Sequence, residues 1–284
     1  MNICRFKNKN DEIRIGLAAD EGLLDLTPAG ITSLTALLES DDPVAQLQQA
    51  VKRGLPKLAL TDVSIGAPVE RQEVWAAGVT YLRSKTARME ESDFSATAYD
   101  RVYEAARPEI FFKSLAEKVV GPNEPVGIRK DATWNVPEPE LALVFNSKGR
   151  IVGQTIGNDM SSRDIEGENL LYLPQAKTYH KSCALGPWIR LGASEAEARE
   201  WKIRIDIARQ GKSVFAGDTS VAQLKRSFKE LGEFLFRCQV YPQGVVLLTG
   251  TGLVPPDGFT LQEKDVVEIE ISNLGVLRNP VAIV

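Results

Sequence analysis

Pro137-Glu138-Pro139-Glu140-Leu141-Ala142-Leu143-Val144-Phe145 runs into the turn Asn146-Ser147-Lys148-Gly149, and a second apolar run follows from Arg150 to Ile156 before Gly157-Asn158-Asp159. Two short apolar runs separated by turn residues predict a β-hairpin. Side chains of a strand alternate between faces, so Glu138, Glu140, Ala142 and Val144 share one side and Leu141, Leu143 and Phe145 the other. Two carboxylates two positions apart then enter one small volume. Their repulsion costs stability, or forces one to protonate, unless positive charge lies between them. Asp159 ends the return strand, where pairing brings it beside the glutamates. Three converging carboxylates make an oxygen-rich pocket for a hard divalent cation, Mg²⁺, Mn²⁺ or Ca²⁺, with positions left for a substrate. A plainer reading stays open at this point. The glutamates could lie on a solvated edge-strand face, with the prolines marking an edge or a strand start. Asp159, or Ser161 with Asp164, could cap a following helix.

The whole chain has 284 residues, enough for one large domain or two unequal ones and for a substantial core. With 43% hydrophobic and 25% charged residues it has an ordinary soluble composition. The 34 Lys and Arg against 38 Asp and Glu argue against nonspecific nucleic-acid binding, which needs a concentrated basic face. No apolar run reaches the length of a membrane span, and the N-terminus lacks a signal-peptide core. Cys4, Cys183 and Cys238 show no metal spacing and cannot all pair with one another, so a reducing cytoplasm is the simplest compartment.

Residues 1–68 read as a separate small unit without evident chemistry. Ile13–Leu17 and Gly22–Leu26 form short strands around an Asp20-Glu21 turn, and helices follow over Ile31–Glu39 and Pro43–Arg53. The second helix has Asp42 as N-cap, Pro43 at its first position and Gly54 as its stop. Residues 69–284 form the larger unit. Val74–Tyr81 reads as a buried strand, leading into a polar helical stretch from Leu82 to about Arg107. That stretch is either a solvated surface helix or a lid over the pocket. Ile203–Arg209 alternates as a half-buried strand and turns at Gln210-Gly211 into a partner. Ser220 with Gln223 resembles a capping box, and the helix after it places Val221, Leu224, Phe228, Leu231, Phe234 and Cys238 on one core-facing stripe. Thr249-Gly250-Thr251-Gly252 is a glycine-rich turn that lacks the lysine and spacing of a phosphate-binding loop.

Glu138-x-Glu140 followed by Gly157-Asn158-Asp159-Met160-Ser161-Ser162-Arg163-Asp164 resembles the signature of the fumarylacetoacetate hydrolase superfamily. Lys177 in Gln175-Ala176-Lys177-Thr178-Tyr179, Gly186-Pro187, Thr249–Gly252 and the tail Gly275–Asn279 match it in the expected order, over residues 69–284. The resemblance implies an α+β fold, a mixed β-roll catalytic domain with a small N-terminal α+β domain, and a homodimer or higher homo-oligomer. It implies Glu138, Glu140 and Asp159 as metal ligands and Mg²⁺ as the cofactor, with Mn²⁺ or Ca²⁺ as alternatives. Lys113, on the strand-like Glu109–Ser114, is then a candidate contact for a substrate anion. Thr251 is expected to offer a hydroxyl and backbone groups to a substrate carboxylate, and Tyr81 to lie at the same pocket. Arg163, Asp164 and His180 are expected as polar residues behind the ligands. Lys177 is the candidate base, because an ammonium beside a divalent cation has its pKa pushed down.

Hydrolases of the superfamily usually carry Tyr-x-x-His-x-x-Glu, the His and Glu activating the attacking water. Counting from Tyr81, this chain has Ser84 and Ala87 in those places, and its one histidine is His180. Lys85, Glu90 or Glu91 are possible substitutes that the spacing does not require. Elimination needs a base and an acid but no attacking water. The missing pair therefore favours elimination, and Gly78-Val79-Thr80-Tyr81-Leu82-Arg83-Ser84 with Lys177-Thr178-Tyr179-His180 resembles the sugar-acid branch of the superfamily. That resemblance implies metal-dependent dehydration of a 2-oxo-3-deoxy pentonate to 2-oxoglutarate semialdehyde through a stabilised enolate. Two alternatives are a hydrolase splitting C–C bonds of acylpyruvates or diketo-deoxy sugar acids, and an inactive ligand-binding or scaffold homologue. Metal-dependent thermal stabilisation with oxalate or pyruvate separates the last from the enzymes.

Overall fold

The computed structural model describes residues 1–81 and 102–284. Most of the expected lid stretch, including Ser84, Lys85, Ala87, Glu90 and Glu91, lies outside the described residues.

Eighteen strands are present among the described residues. The first seven are β1 (Asn2–Lys7), β2 (Ile13–Ala19), β3 (Gly22–Asp25), β4 (Lys57–Leu58), β5 (Ser64–Gly66), β6 (Glu73–Gly78) and β7 (Glu109–Ser114). β8 (Val126–Ile128) and β9 (Asn135–Val136) lead to the hairpin of β10 (Pro139–Phe145) and β11 (Ile151–Asp159). Then come β12 (Ser161–Ser162), β13 (Cys183–Leu191), β14 (Lys202–Arg209), β15 (Lys212–Ser220), β16 (Val245–Leu248), β17 (Val266–Ile271) and β18 (Gly275–Ile283). An 11-stranded sheet runs β4-β3-β2-β1-β13-β11-β10-β16-β6-β7 with β5 added on β1, and a 5-stranded sheet runs β15-β14-β17-β18-β8. Pairing is mixed: β16 lies parallel to β6 and β18 to β8, while the hairpins are antiparallel. The strands of the first 66 residues continue the large sheet through the β1–β13 pair.

The β10–β11 hairpin sits inside the large sheet, between β13 and β16, and every residue of β10 is buried. The edge-strand alternative for the glutamates is thereby overturned; Pro139 simply starts an interior strand, where its missing N–H costs no central ladder bond. Leu141, Leu143 and Phe145 pack against Ile203, Ile205 and Ile207 of the smaller sheet. Ala142 and Val144 face the other way, into a core shared with Leu34, Leu37, Leu38 and Leu47 of the N-terminal helices. Period-2 alternation thus puts Glu138 and Glu140 on the side away from the sheet-on-sheet core.

Local chemistry explains the smaller elements. Ser33 caps the helix Leu34–Glu39 and Asp42 caps Pro43–Lys52, each accepting a backbone N–H. Gln210 and Gly211, at φ 51° and 77°, make the tight turn between β14 and β15. The expected single helix from Val221 is not formed. Val221–Gln223 is one 3₁₀ turn, Leu224 is extended, and a new helix, Phe228–Leu235, starts at the Ser227 cap. Leu224 pairs instead with Tyr81, and Lys225 N–H donates to Thr80 O. That pairing breaks the stripe, leaving Phe234 half-buried and Cys238 exposed. No helix among the described residues is long and apolar enough to cross a membrane.

Candidate metal centre

The hairpin brings its acidic residues together by backbone pairing. Asp159 N–H donates to Glu138 O at 3.0 Å, and Glu140 is opposite Gly157. One ligand oxygen from each of Glu138, Glu140 and Asp159 lies within 4.8 Å of the others, and all three residues are buried. Three carboxylates this close cannot share a dry volume without compensation.

Three cations supply it. Lys177, 1% exposed, donates from Nζ to Glu138 Oε2 at 2.8 Å, to Asp159 Oδ2 at 3.3 Å, and to the Ser161 hydroxyl. Arg163, also 1% exposed, donates to Glu138 Oε1 at 2.8 Å. Lys113, fully buried, pairs with Asp159 Oδ1 and also donates to Met160 O at 2.9 Å and to Lys177 O. Glu140 accepts the Gly250 N–H at 2.6 Å. Its carboxyl is pushed well above the ordinary range, by burial first and then by the charges of Asp159 and Glu138. Cys183 is the ladder partner of Asp159, and burial raises its thiol to about 12.

Several expected contacts take other forms. Lys113, the candidate contact for a substrate anion, is fully buried, and its ammonium, which has three protons, is on Asp159, Met160 O and Lys177 O. Thr251 lines the cavity at the carboxylates, yet its hydroxyl donates to Leu253 O at 3.1 Å. Tyr81 is buried with its ring against Gly252, its phenol raised by burial and by the charge of Glu140. Asp164 turns away from the carboxylates: it accepts the Thr133 hydroxyl at 2.9 Å and the Thr133 N–H, and so anchors the loop before β9. His180 is exposed on the turn after Lys177, not in polar contact behind the site. Ser161 escaped sequence reading as a site residue because its spacing to Asp164 suggested a helix cap. The capping position belongs to Ser162, whose side chain makes no cap bond, and Ser161 is free to face the same way as Asp159, two residues earlier.

The family model for the fumarylacetoacetate hydrolase C-terminal domain matches residues 73–282. The chain belongs to the fumarylacetoacetate hydrolase family. It is 40% identical over 273 residues to a probable 2-keto-3-deoxyxylonate dehydratase of Haloferax volcanii, covering 92% of this chain and 94% of that one. It is 40% identical over 230 residues to the 2-dehydro-3-deoxy-D-arabinonate dehydratase of Saccharolobus solfataricus, covering 80% and 77%. The solved structure of 2-keto-3-deoxy-D-arabinonate dehydratase complexed with magnesium and 2,5-dioxopentanoate superposes with a TM-score of 0.84, at 31% identity, over 100% of this chain and 99% of that one. The fold is the fumarylacetoacetate hydrolase type.

The donor set fits a divalent cation of this family. All three ligands are carboxylates, the chemistry hard cations select. The Glu140 carboxyl is raised by burial first and then by the charges of Asp159 and Glu138, and a dication beside it would favour its ionised form.

Proposed function

We propose that the protein is a metal-dependent hydro-lyase that dehydrates a 2-oxo-3-deoxy pentonate to 2-oxoglutarate semialdehyde, which is 2,5-dioxopentanoate. The observation that carries this reading is the buried Glu138–Glu140–Asp159 cluster with Lys177 Nζ set on two of its members, in a chain 40% identical to two dehydratases of such acids. A divalent cation, Mg²⁺ first, supplies a Lewis acid that polarises the 2-oxo acid and acidifies C3.

The chain's own residues do the rest. Lys113 and Arg163 fix one oxygen each of Asp159 and Glu138, so the ligands are oriented before substrate arrives. Gly250 N–H fixes Glu140. The loop 249–252 is tied to β10 by Thr249, whose hydroxyl donates to Leu141 O at 2.9 Å, and it presents main chain to the substrate carboxylate. Lys177 would act as the neutral amine, its proton shed beside the bound dication, and take the C3 proton at Nζ, with the Ser161 hydroxyl holding the resulting ammonium. The C4 hydroxyl departs with that proton as water, leaving a C3–C4 double bond beside the C5 alcohol. Isomerisation to C4–C5 gives an enol, whose keto form is the terminal aldehyde.

The same reading carries a homodimer, which would cover exposed apolar residues such as Leu171, 83% exposed, and Val240, 77% exposed. It also carries a two-unit organisation at 1–68 and 69–284, and the cytoplasm as compartment, in keeping with three free cysteines. The deciding experiment is product analysis by mass spectrometry with Mg²⁺. A 2-oxo-3-deoxypentonate should yield a product lighter by one water. Release of pyruvate from an acylpyruvate, with no change to the sugar acid, would make the enzyme a C–C hydrolase instead.

A further inference from the structure

Each of two ligand carboxylates has one oxygen held from outside and one held by the same lysine. Glu138 Oε1 is on Arg163, and Glu138 Oε2 is 2.8 Å from Lys177 Nζ. Asp159 Oδ1 is on Lys113, and Asp159 Oδ2 is 3.3 Å from Lys177 Nζ. Arg163 and Lys113 are anchored elsewhere as well: Arg163 N–H donates to Trp134 O at 2.7 Å, and Lys113 reaches two main-chain carbonyls. On Glu138 and Asp159 the oxygens not held from outside are therefore the pair that Lys177 holds, and Glu140 brings its own carboxylate beside them. A compact ammonium and a small dication make the same demand on these atoms: full positive charge at short range, with oxygen donors around it.

We propose that Lys177 is a built-in competitor for the metal seat, holding the oxygens of Glu138 and Asp159 that the cation takes and giving them up when it loads. The inference rests on the metal reading above and adds a coupling to it. Loading the metal strips Nζ of two carboxylate partners while its contact with the Ser161 hydroxyl stays, so the event that completes the site also releases the lysine toward the substrate. In the metal-stripped protein the same lysine keeps the buried carboxylates compensated, which protects the fold while the metal is away.

Competition gives a sign that a purely supportive lysine does not. Lys177→Gln keeps two donors but removes the charge. It should lower the melting temperature of the metal-stripped protein, and it should bind Mn²⁺ at least about tenfold more tightly than the parent, because one like charge has left the seat. Ser161→Ala keeps the charge but removes the partner that receives it, and should weaken Mn²⁺ binding several-fold. Mn²⁺ affinity is read by titration against the electron paramagnetic resonance signal of the free ion, and metal-induced stabilisation by thermal melts with and without Mn²⁺. A Gln variant that binds Mn²⁺ no more tightly than the parent overturns the proposal. If that variant does not fold, Ser161→Ala decides, and unchanged or tighter binding overturns it. A parent protein that takes up no Mn²⁺ defeats the metal reading itself, and the competition with it.

Discussion

The backbone N–H of Asp159 donates to the carbonyl of Glu138 at 3.0 Å, closing the mouth of the β10–β11 hairpin. Residues 21 apart in sequence thereby become neighbours whose carboxylates converge with that of Glu140. Glu138→Gln keeps the side-chain volume and removes the charge. Turnover should fall by more than the roughly 10–100-fold that outlying partners of a metal site contribute. Mn²⁺-induced thermal stabilisation should shrink in parallel. A variant that keeps both at the parental level would remove Glu138 from the metal centre.

Glu140 gives a pH signature. Burial beside Asp159 and Glu138 raises its folded-state carboxyl above the ordinary value of 4.5. The folded state then binds the proton more tightly than the unfolded chain, so this group costs stability as pH climbs from the unfolded value through the raised one. Metal-stripped Glu140→Gln should accordingly melt higher than the parent at pH 8, by at least about 2 °C, and the gap should close toward pH 4. Metal uptake by the parent should release protons and tighten as pH rises. Paired melts across pH, with and without chelator, check both signs.

Lys113 offers a test of strut against substrate contact. Lys113→Met leaves Asp159 and two carbonyls without their donor. Stability should fall by about 3–5 kcal/mol, the cost of breaking a buried pair. In whatever fraction folds, kcat should drop while KM for the sugar acid changes less than about threefold, since uniform substrate binding is untouched. A rise in KM with kcat preserved would return Lys113 to the substrate.

Gly250 adopts φ 92°, and a Cβ there would overlap the Thr80 hydroxyl and crowd Ala77 O. Gly250→Ala should destabilise by about 3 kcal/mol, combining overpacking with a left-handed backbone. It should also displace the N–H that holds Glu140 and weaken Mn²⁺ binding. Chemical denaturation and Mn²⁺ titration of the same preparation separate the two effects.

The sequence by itself determined the parts of this protein that depend on short-range rules. Alternation along 138–145 assigned Glu138 and Glu140 to one face, a turn at 146–149 returned the chain, and Asp159 fell at the far end of the second strand. The caps at Asp42 and the turn at Gln210-Gly211 were legible for the same reason: each is set by a few neighbouring residues. Tertiary structure decided what distance along the chain conceals. A strand that opens on Pro139 became interior because β13 and β16 flank the hairpin. The helix after Val221 broke because Leu224 had a better partner in Tyr81. Lys113 comes from β7, and Arg163 and Lys177 from the short helices Arg163–Glu168 and Leu173–Lys177, and no spacing rule states which carboxylate oxygen each will take. That choice follows from charge balance in a buried volume: three carboxylates can enter it only with cations on them, and the cations within reach are fixed by the packing of the sheets.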